Sequence, residues 1–153
     1  MTKEKFIELF LIELDKLSRN KKKTKGREYI LLSTLQTLLE RKGLCLFSFF
    51  SLIDKKSKED IFFSSHPPLS LEDLVRAIEF YRKEKKISKR ELSRRVNLDW
   101  SNFLKLYNRG LKSCNTALVL SLIYALEVYP SVFIQKANEL RGIVPSSIPG
   151  DGI

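Results

Sequence analysis

The chain has little of what most enzymes and metal sites require. Its 153 residues include one histidine, two cysteines, one tryptophan and one methionine. General acid-base and metal chemistry draw on clusters of histidine, cysteine and carboxylate side chains, and the sequence shows no such cluster, no Cys-x-x-Cys pair and no glycine-rich phosphate loop. We therefore expect no enzyme activity, no cofactor and no metal. His66 stands beside two prolines and is expected to be an exposed linker residue.

Long apolar runs and a disulfide framework are also missing. Cys45 and Cys114 lie far apart in apolar surroundings, which fits a reduced, cytoplasmic setting. The longest apolar run, residues 44–53, is too short to cross a bilayer and contains two serines. No signal peptide is visible, because acidic residues interrupt the segment that follows Lys3. We expect a soluble cytoplasmic protein that makes no membrane contact.

Positive charge, in contrast, is abundant and concentrated. The chain carries 28 basic and 18 acidic residues, and residues 85–112 alone hold nine basic and two acidic ones. Lysine and arginine grouped in one segment are typical of a surface that binds phosphates. A second basic run, residues 19–27, is either a solvated linker or a further phosphate contact.

The basic segment from Ile87 to Arg109 has the pattern of two short helices joined by a tight turn. Ser88 followed by Glu91 matches a capping box, so a helix is expected to begin at the next residue after the serine. Leu92 and Val96, four apart, would form its inner face, and the small Ser93 would allow a second helix to approach.

The turn and the second helix follow from the next residues. Asn97 tolerates the left-handed conformation that ends a helix, and Asp99 can cap a new helix over residues 100–107. Phe103, with an apolar residue three or four positions later, would face inward. The other side of this helix carries Trp100, Ser101, Asn102, Lys105 and Asn108.

Further helices are expected on both sides of this motif. Periodic apolar residues and caps predict helices over residues 71–85 and 115–126, and Pro130 opens a last short one. Toward the amino terminus, residues 3–18 and 28–41 predict two more helices.

Residues 44–65 predict a β-hairpin instead. Phenylalanine and isoleucine favour strands on both sides of the charged turn DKKSKE. The first strand is apolar on both alternating sets and needs cover on two faces, which two helices do not supply. We therefore expect a subunit interface here, in preference to a ligand pocket.

The overall prediction is a mainly α protein with a small α+β N-terminal part. Residues 1–66 would form a helix-helix-hairpin domain for dimerisation, and residues 67–141 a five-helix domain that contains the helix-turn-helix. Residues 142–153, rich in glycine and proline, would form a flexible tail.

From about Leu71 to Leu140 the chain resembles the phage-repressor-like (Cro/XRE-type) family of helix-turn-helix DNA-binding domains. The matching positions include the start at Ser88, the inner Leu92 and Phe103, and the apolar fourth helix that ends at Val128. The sequence departs from the family in three places: Ser93 replaces the usual alanine, Asn97 the usual glycine, and the close over residues 107–110 is one residue longer.

The resemblance implies sequence-specific binding of double-stranded DNA by a transcriptional regulator, a repressor that pairs as a homodimer. By position, the base-reading residues would be Trp100, Ser101, Asn102 and Lys105. Trp100 could equally pack on the protein. The phosphate contacts would come from Ser88, Lys89, Arg90, Asn108, Arg109 and Lys112.

Two other interpretations stay open. In an antitoxin-type protein of this family, the N-terminal domain would bind a partner protein while the helix-turn-helix regulates its own operon. The plainer alternative is a small helical domain with a basic surface and no DNA partner. Agreement among cap, turn, core spacing and charge favours DNA binding over this alternative.

Overall fold

A computed structural model of the chain describes residues 1–17, 27–56, 66–109 and 114–150. The described residues form eight α-helices and one short 3-10 turn at Arg27–Tyr29, joined by loops. The helices are α1 (Lys3–Leu17), α2 (Leu32–Arg41), α3 (Leu46–Asp54), α4 (Leu71–Glu84), α5 (Lys89–Arg95), α6 (Trp100–Arg109), α7 (Thr116–Ala125) and α8 (Pro130–Gly150).

The predicted β-hairpin, and with it the α+β N-terminal part, is wrong. The expected first strand is the helix α3, whose nine residues are all buried except Leu52. A short run that is apolar on every side fits a fully buried helix as well as a fully buried strand, and periodicity cannot distinguish them. The expected second strand, residues 60–65, lies outside the described residues.

The cover that α3 needs comes from the same chain. Phe6 and Phe10 of α1 meet Phe50 and Phe49 edge-on, with ring centroids 5.4 and 5.6 Å apart. α8 packs against α3 as well. The buried side chains of these helices and of the helix-turn-helix region belong to one continuous cluster. The apolar surplus that suggested a subunit interface is therefore covered within the chain.

The segment before α4 is fixed by hydrogen bonds from two helices. Gln36 of α2 accepts from the Leu69 amide at 2.7 Å and donates to the Leu69 carbonyl at 3.0 Å. Arg141 of α8 donates to the carbonyls of Pro68 and Pro67 at 2.9 and 3.1 Å. These bonds fix the chain path into α4 relative to both helices.

The helices that frame the motif agree closely with expectation. Ser70 caps α4 and forms a complete capping box with Asp73, and Asn115 caps α7 through the Leu118 amide. α8 is longer than the short helix expected after Pro130, and the mobility proposed for residues 142–153 stays a prediction.

Within the described ranges, no single helix is long and apolar enough to span a membrane. Thr116–Ala125 and Pro130–Arg141 reach that length and composition only when taken together, across a bend of 94°.

Candidate nucleic-acid interface

The first helix of the motif, α5, begins where its cap predicts. The Ser88 hydroxyl accepts a hydrogen bond from the Glu91 amide at 3.0 Å. The second half of the expected capping box is replaced, because the Glu91 carboxylate pairs with Arg94 and Arg95. Leu92 and Ser93 are buried, as the inner face requires.

The turn after α5 has the left-handed residue that the sequence predicts. Asn97 has φ 61°, and the Leu98 amide donates to the Ser93 carbonyl at 3.1 Å. The Ser93 hydroxyl donates to the Leu98 carbonyl at 2.8 Å. The Ser93 side chain therefore adds a hydrogen bond that closes the turn.

The second helix, α6, is capped by Asp99 and anchored by Phe103. The Asp99 carboxylate accepts from the Asn102 amide at 2.8 Å, and Phe103 is fully buried. Ser101, Asn102 and Lys105 are exposed. The side-chain nitrogen of Asn102 also donates to Asp99, to Oδ2 at 2.9 Å, so this nitrogen already has a partner at the start of α6. Ser101 and Lys105 present their polar atoms outward.

Three aromatic rings follow one another along the inner side of α6. The rings of Trp100 and Phe103 stack with centroids 5.9 Å apart, and those of Phe103 and Tyr107 with centroids 4.8 Å apart. Two cations of α5 lie over the first and last of these rings. Arg90 Cζ is 4.3 Å from the Trp100 centroid, and Lys89 Nζ is 5.1 Å from the Tyr107 centroid. Cation–π contacts therefore join the two helices of the motif.

A polar cluster fixes the motif to α4. Arg82 donates two hydrogen bonds to the Glu79 carboxylate, both at 2.8 Å, and a third to the Ile87 carbonyl at 3.1 Å. The bonded guanidinium lowers the pKa of Glu79 below its ordinary value. Burial, reinforced by the nearby Glu79 charge, raises the pKa of Tyr107. Arg82 thus holds Ile87, just before α5, against α4, and Tyr107 brings the C-terminal part of α6 close to Glu79.

Two basic residues of the charged segment have structural partners that the sequence did not reveal. Lys85 Nζ donates to the Glu127 carbonyl at 3.0 Å, and Arg95 donates to the Ala125 carbonyl at 2.9 Å. Arg95 also pairs with the Glu127 carboxylate at 3.3 Å. Carbonyls at a helix C-terminus lack intrahelical partners and favour cations. Lys85 and Arg95 thus donate hydrogen bonds to the C-terminal end of α7 and stabilise it.

The predicted phosphate-contacting residues fall into two groups. Ser88, Lys89 and Arg90 lie together at the start of α5. Asn108 and Arg109 are in the last turn of α6, and Lys112 lies outside the described residues. Between α5 and α6 is an open depression of about 380 Å³, lined by Arg90, Ser93, Arg94, Asn97, Leu98, Asp99 and Trp100.

Metal-binding chemistry is not evident in the part of the chain that the structure describes, where no three His, Cys, Asp or Glu side chains converge on a metal-sized site. In a comparison with protein families, residues 77–131 match the model of the Cro/C1-type HTH DNA-binding domain. No match was found among curated proteins or among solved structures.

Proposed function

Because residues 77–131 are a Cro/C1-type helix-turn-helix DNA-binding segment of the kind found in transcription regulators, we propose that the protein binds specific double-stranded DNA sites and acts as a repressor. α6 would lie in the major groove. One observation carries this proposal: Ser101 and Lys105 are exposed on α6, whereas Phe103 between them is buried. The helix therefore has an inner apolar side and an outer polar side.

The two exposed side chains suit base recognition in different ways. Lys105 can donate to the O6 and N7 acceptors of guanine, and the Ser101 hydroxyl can both donate and accept. The side-chain nitrogen of Asn102 donates to Asp99, which leaves the side-chain carbonyl oxygen available as an acceptor. Lys105 and Ser101 are thus our primary candidates for base contacts.

The phosphate contacts are proposed at the start of α5. The amides of a helix N-terminus favour an anion, and Lys89 and Arg90 add positive charge beside the Ser88 cap. Asn108, Arg109 and Lys112 are proposed for the other edge of the same surface. Such contacts fix the orientation of the protein on the duplex without selecting its sequence.

The proposal includes a homodimer in a reduced cytoplasm. One helix-turn-helix contacts few base pairs, and two copies on a palindromic site, with half-sites about 34 Å apart, gain affinity and specificity. Repression would then need only that the bound dimer occupies the DNA. Light scattering at micromolar concentration, free and with duplex, tests the dimer; a monomer in both states would contradict it.

The antitoxin-type alternative lacks a specific observation in its favour. It was motivated by the apolar N-terminal segment, and in the described residues that segment is covered by α1 and α8. The function proposed is therefore that of a repressor.

The test is selection of binding sites from random duplexes, followed by affinity measurements on the enriched duplex at several salt concentrations. We expect one enriched motif with two symmetric halves, and an affinity that falls steeply as salt rises. Lys89→Ala should weaken binding evenly across sequences, since it removes a backbone contact. Arg41→Ala removes an exposed charge on α2 and is the matched control. Failure to enrich any motif would contradict the proposal.

A further inference from the structure

We propose that Trp100 is a positioning residue, which holds the Arg90 guanidinium ready for a DNA phosphate and does not itself read bases. This inference rests on the proposed DNA-binding function and assigns a role to a residue whose function the sequence left undecided.

Arg90 and Trp100 connect the two helices of the motif. Arg90 is in the first turn of α5 and Trp100 is the first residue of α6, so their contact of 4.3 Å crosses the turn of the motif. Trp100 is half-buried. Its ring lies nearly parallel to that of the fully buried Phe103, at an interplanar angle of 10°. The surface that supports Arg90 is therefore itself anchored in the core.

Stacking on the Trp100 ring leaves the hydrogen-bond donors of Arg90 available. A guanidinium that lies over an aromatic ring uses its face, whereas its five N–H donors point outward in the plane of the group. Arg90 is exposed and lines the open depression between α5 and α6. It can therefore keep its contact with the ring and still present two parallel donors to a phosphate.

The neighbouring arginines of α5 have other partners. Arg95 is bonded to the end of α7, and Arg94 is paired with Glu91 on its own helix. Among the side chains that the structure describes, Arg90 is the one of these three arginines that contacts a side chain of α6. A side chain fixed before binding loses less rotamer freedom when DNA arrives, so the support from Trp100 should appear as affinity.

The experiment is a double-mutant cycle on the duplex enriched by the wild-type protein, with Arg90→Ala, Trp100→Leu and the pair. We expect Trp100→Leu to weaken binding about three- to tenfold in the wild-type background and about twofold or less when Arg90 is already alanine. Trp100→Phe keeps an aromatic face and should restore most of the loss. The base preference of every variant should match that of the wild type.

The tryptophan also provides a readout without DNA. Trp100 is the single tryptophan of the chain, so its fluorescence reports on the contact directly. We expect Arg90→Ala to change this emission and Arg41→Ala to leave it unaltered. Thermal unfolding of each variant shows whether a loss of affinity arises from a loss of fold. Such a loss is the same with and without Arg90, so it cancels when the two effects of Trp100→Leu are compared in the cycle.

The two proposals fail differently. Equal losses from Trp100→Leu with and without Arg90, or an altered base preference, would overturn the positioning role while DNA binding stands. A wild-type protein that enriches no duplex would overturn both, since Arg90 would then have no phosphate to contact.

Discussion

Asp54, the last residue of α3, accepts two hydrogen bonds from Ser131 at the start of α8. The Ser131 amide donates to Oδ2 at 2.8 Å and the Ser131 hydroxyl donates to Oδ1 at 2.6 Å. The two residues are 77 positions apart, and both are buried. A carboxylate at a helix N-terminus satisfies an unpaired amide and interacts favourably with the helix dipole. This contact joins α3 to the start of α8, at the C-terminal end of the matched segment.

Replacing Asp54 should destabilise the whole chain. Asp54→Ala leaves the Ser131 amide unpaired in a buried place, and we expect a loss of about 2–4 kcal/mol in the free energy of unfolding, measured by urea denaturation. Asp54→Asn can still accept hydrogen bonds and should lose less. The control is Glu40→Ala, an exposed acid on α2. A loss below about 0.5 kcal/mol for Asp54→Ala would contradict the role of this contact.

Two adjacent arginines of α5 should behave differently. Arg95→Ala removes hydrogen bonds to the end of α7 and should lower the free energy of unfolding by about 1–2 kcal/mol. Arg94→Ala should change it by less than about 0.5 kcal/mol, because Arg94 is exposed and its ion pair with Glu91 is at the surface. Urea denaturation of the two variants is a matched comparison. Equal losses would show that the α7 contact contributes nothing.

Glu79 should make stability dependent on acid pH. Its hydrogen bonds with Arg82 lower its pKa below the ordinary value of 4.5, so its contribution is present above that value and is lost as pH falls through the folded-state pKa. Glu79→Gln should therefore be less stable than wild type by about 1–2 kcal/mol at pH 6, and the difference should shrink toward pH 3. Urea denaturation of both proteins across this range checks it. A difference that is constant with pH would contradict the ion pair.

The two cysteines should react at different rates. They are not joined in a disulfide, and burial raises the pKa of Cys114 to about 12. The thiolate is the reactive form, so at pH 8 a colorimetric disulfide reagent should modify half-exposed Cys45 first and Cys114 only on unfolding. Cys45→Ser should abolish the fast reaction. If the fast reaction disappeared in Cys114→Ser instead, the burial of Cys114 would be contradicted.

The motif itself could be predicted because its chemistry is local. Caps, a left-handed residue and an inner face are separated by three or four positions, so the roles of Ser88, Asn97, Asp99 and Phe103 follow from their neighbours. The α3 helix could not be predicted, because a run that is buried on every side carries no periodicity. Only the packing of α1 and α8 around it resolves the choice.

Long-range pairing was equally hidden from the sequence. Lys85 and Arg95 contribute to the charge that indicated DNA, yet their bonds reach residues 42 and 30 positions away. No local pattern encodes such distances. Trp100 is a similar case, because one aromatic residue in a polar stretch suits packing and DNA contact alike until Arg90 and Phe103 are seen beside it.

The central claim is that α6 reads base pairs, and the base-preference profile of Lys105→Ala tests it most directly. Lys105 is exposed on the outer side of α6, so its loss should leave the fold intact. We predict that selection with this variant gives the wild-type motif, except that one base pair in each half-site is no longer strongly preferred. The free-energy difference between the preferred base and the others at that position should fall by about 1–3 kcal/mol. An unchanged motif bound with uniformly lower affinity, or no enriched motif for the wild type, would contradict the claim.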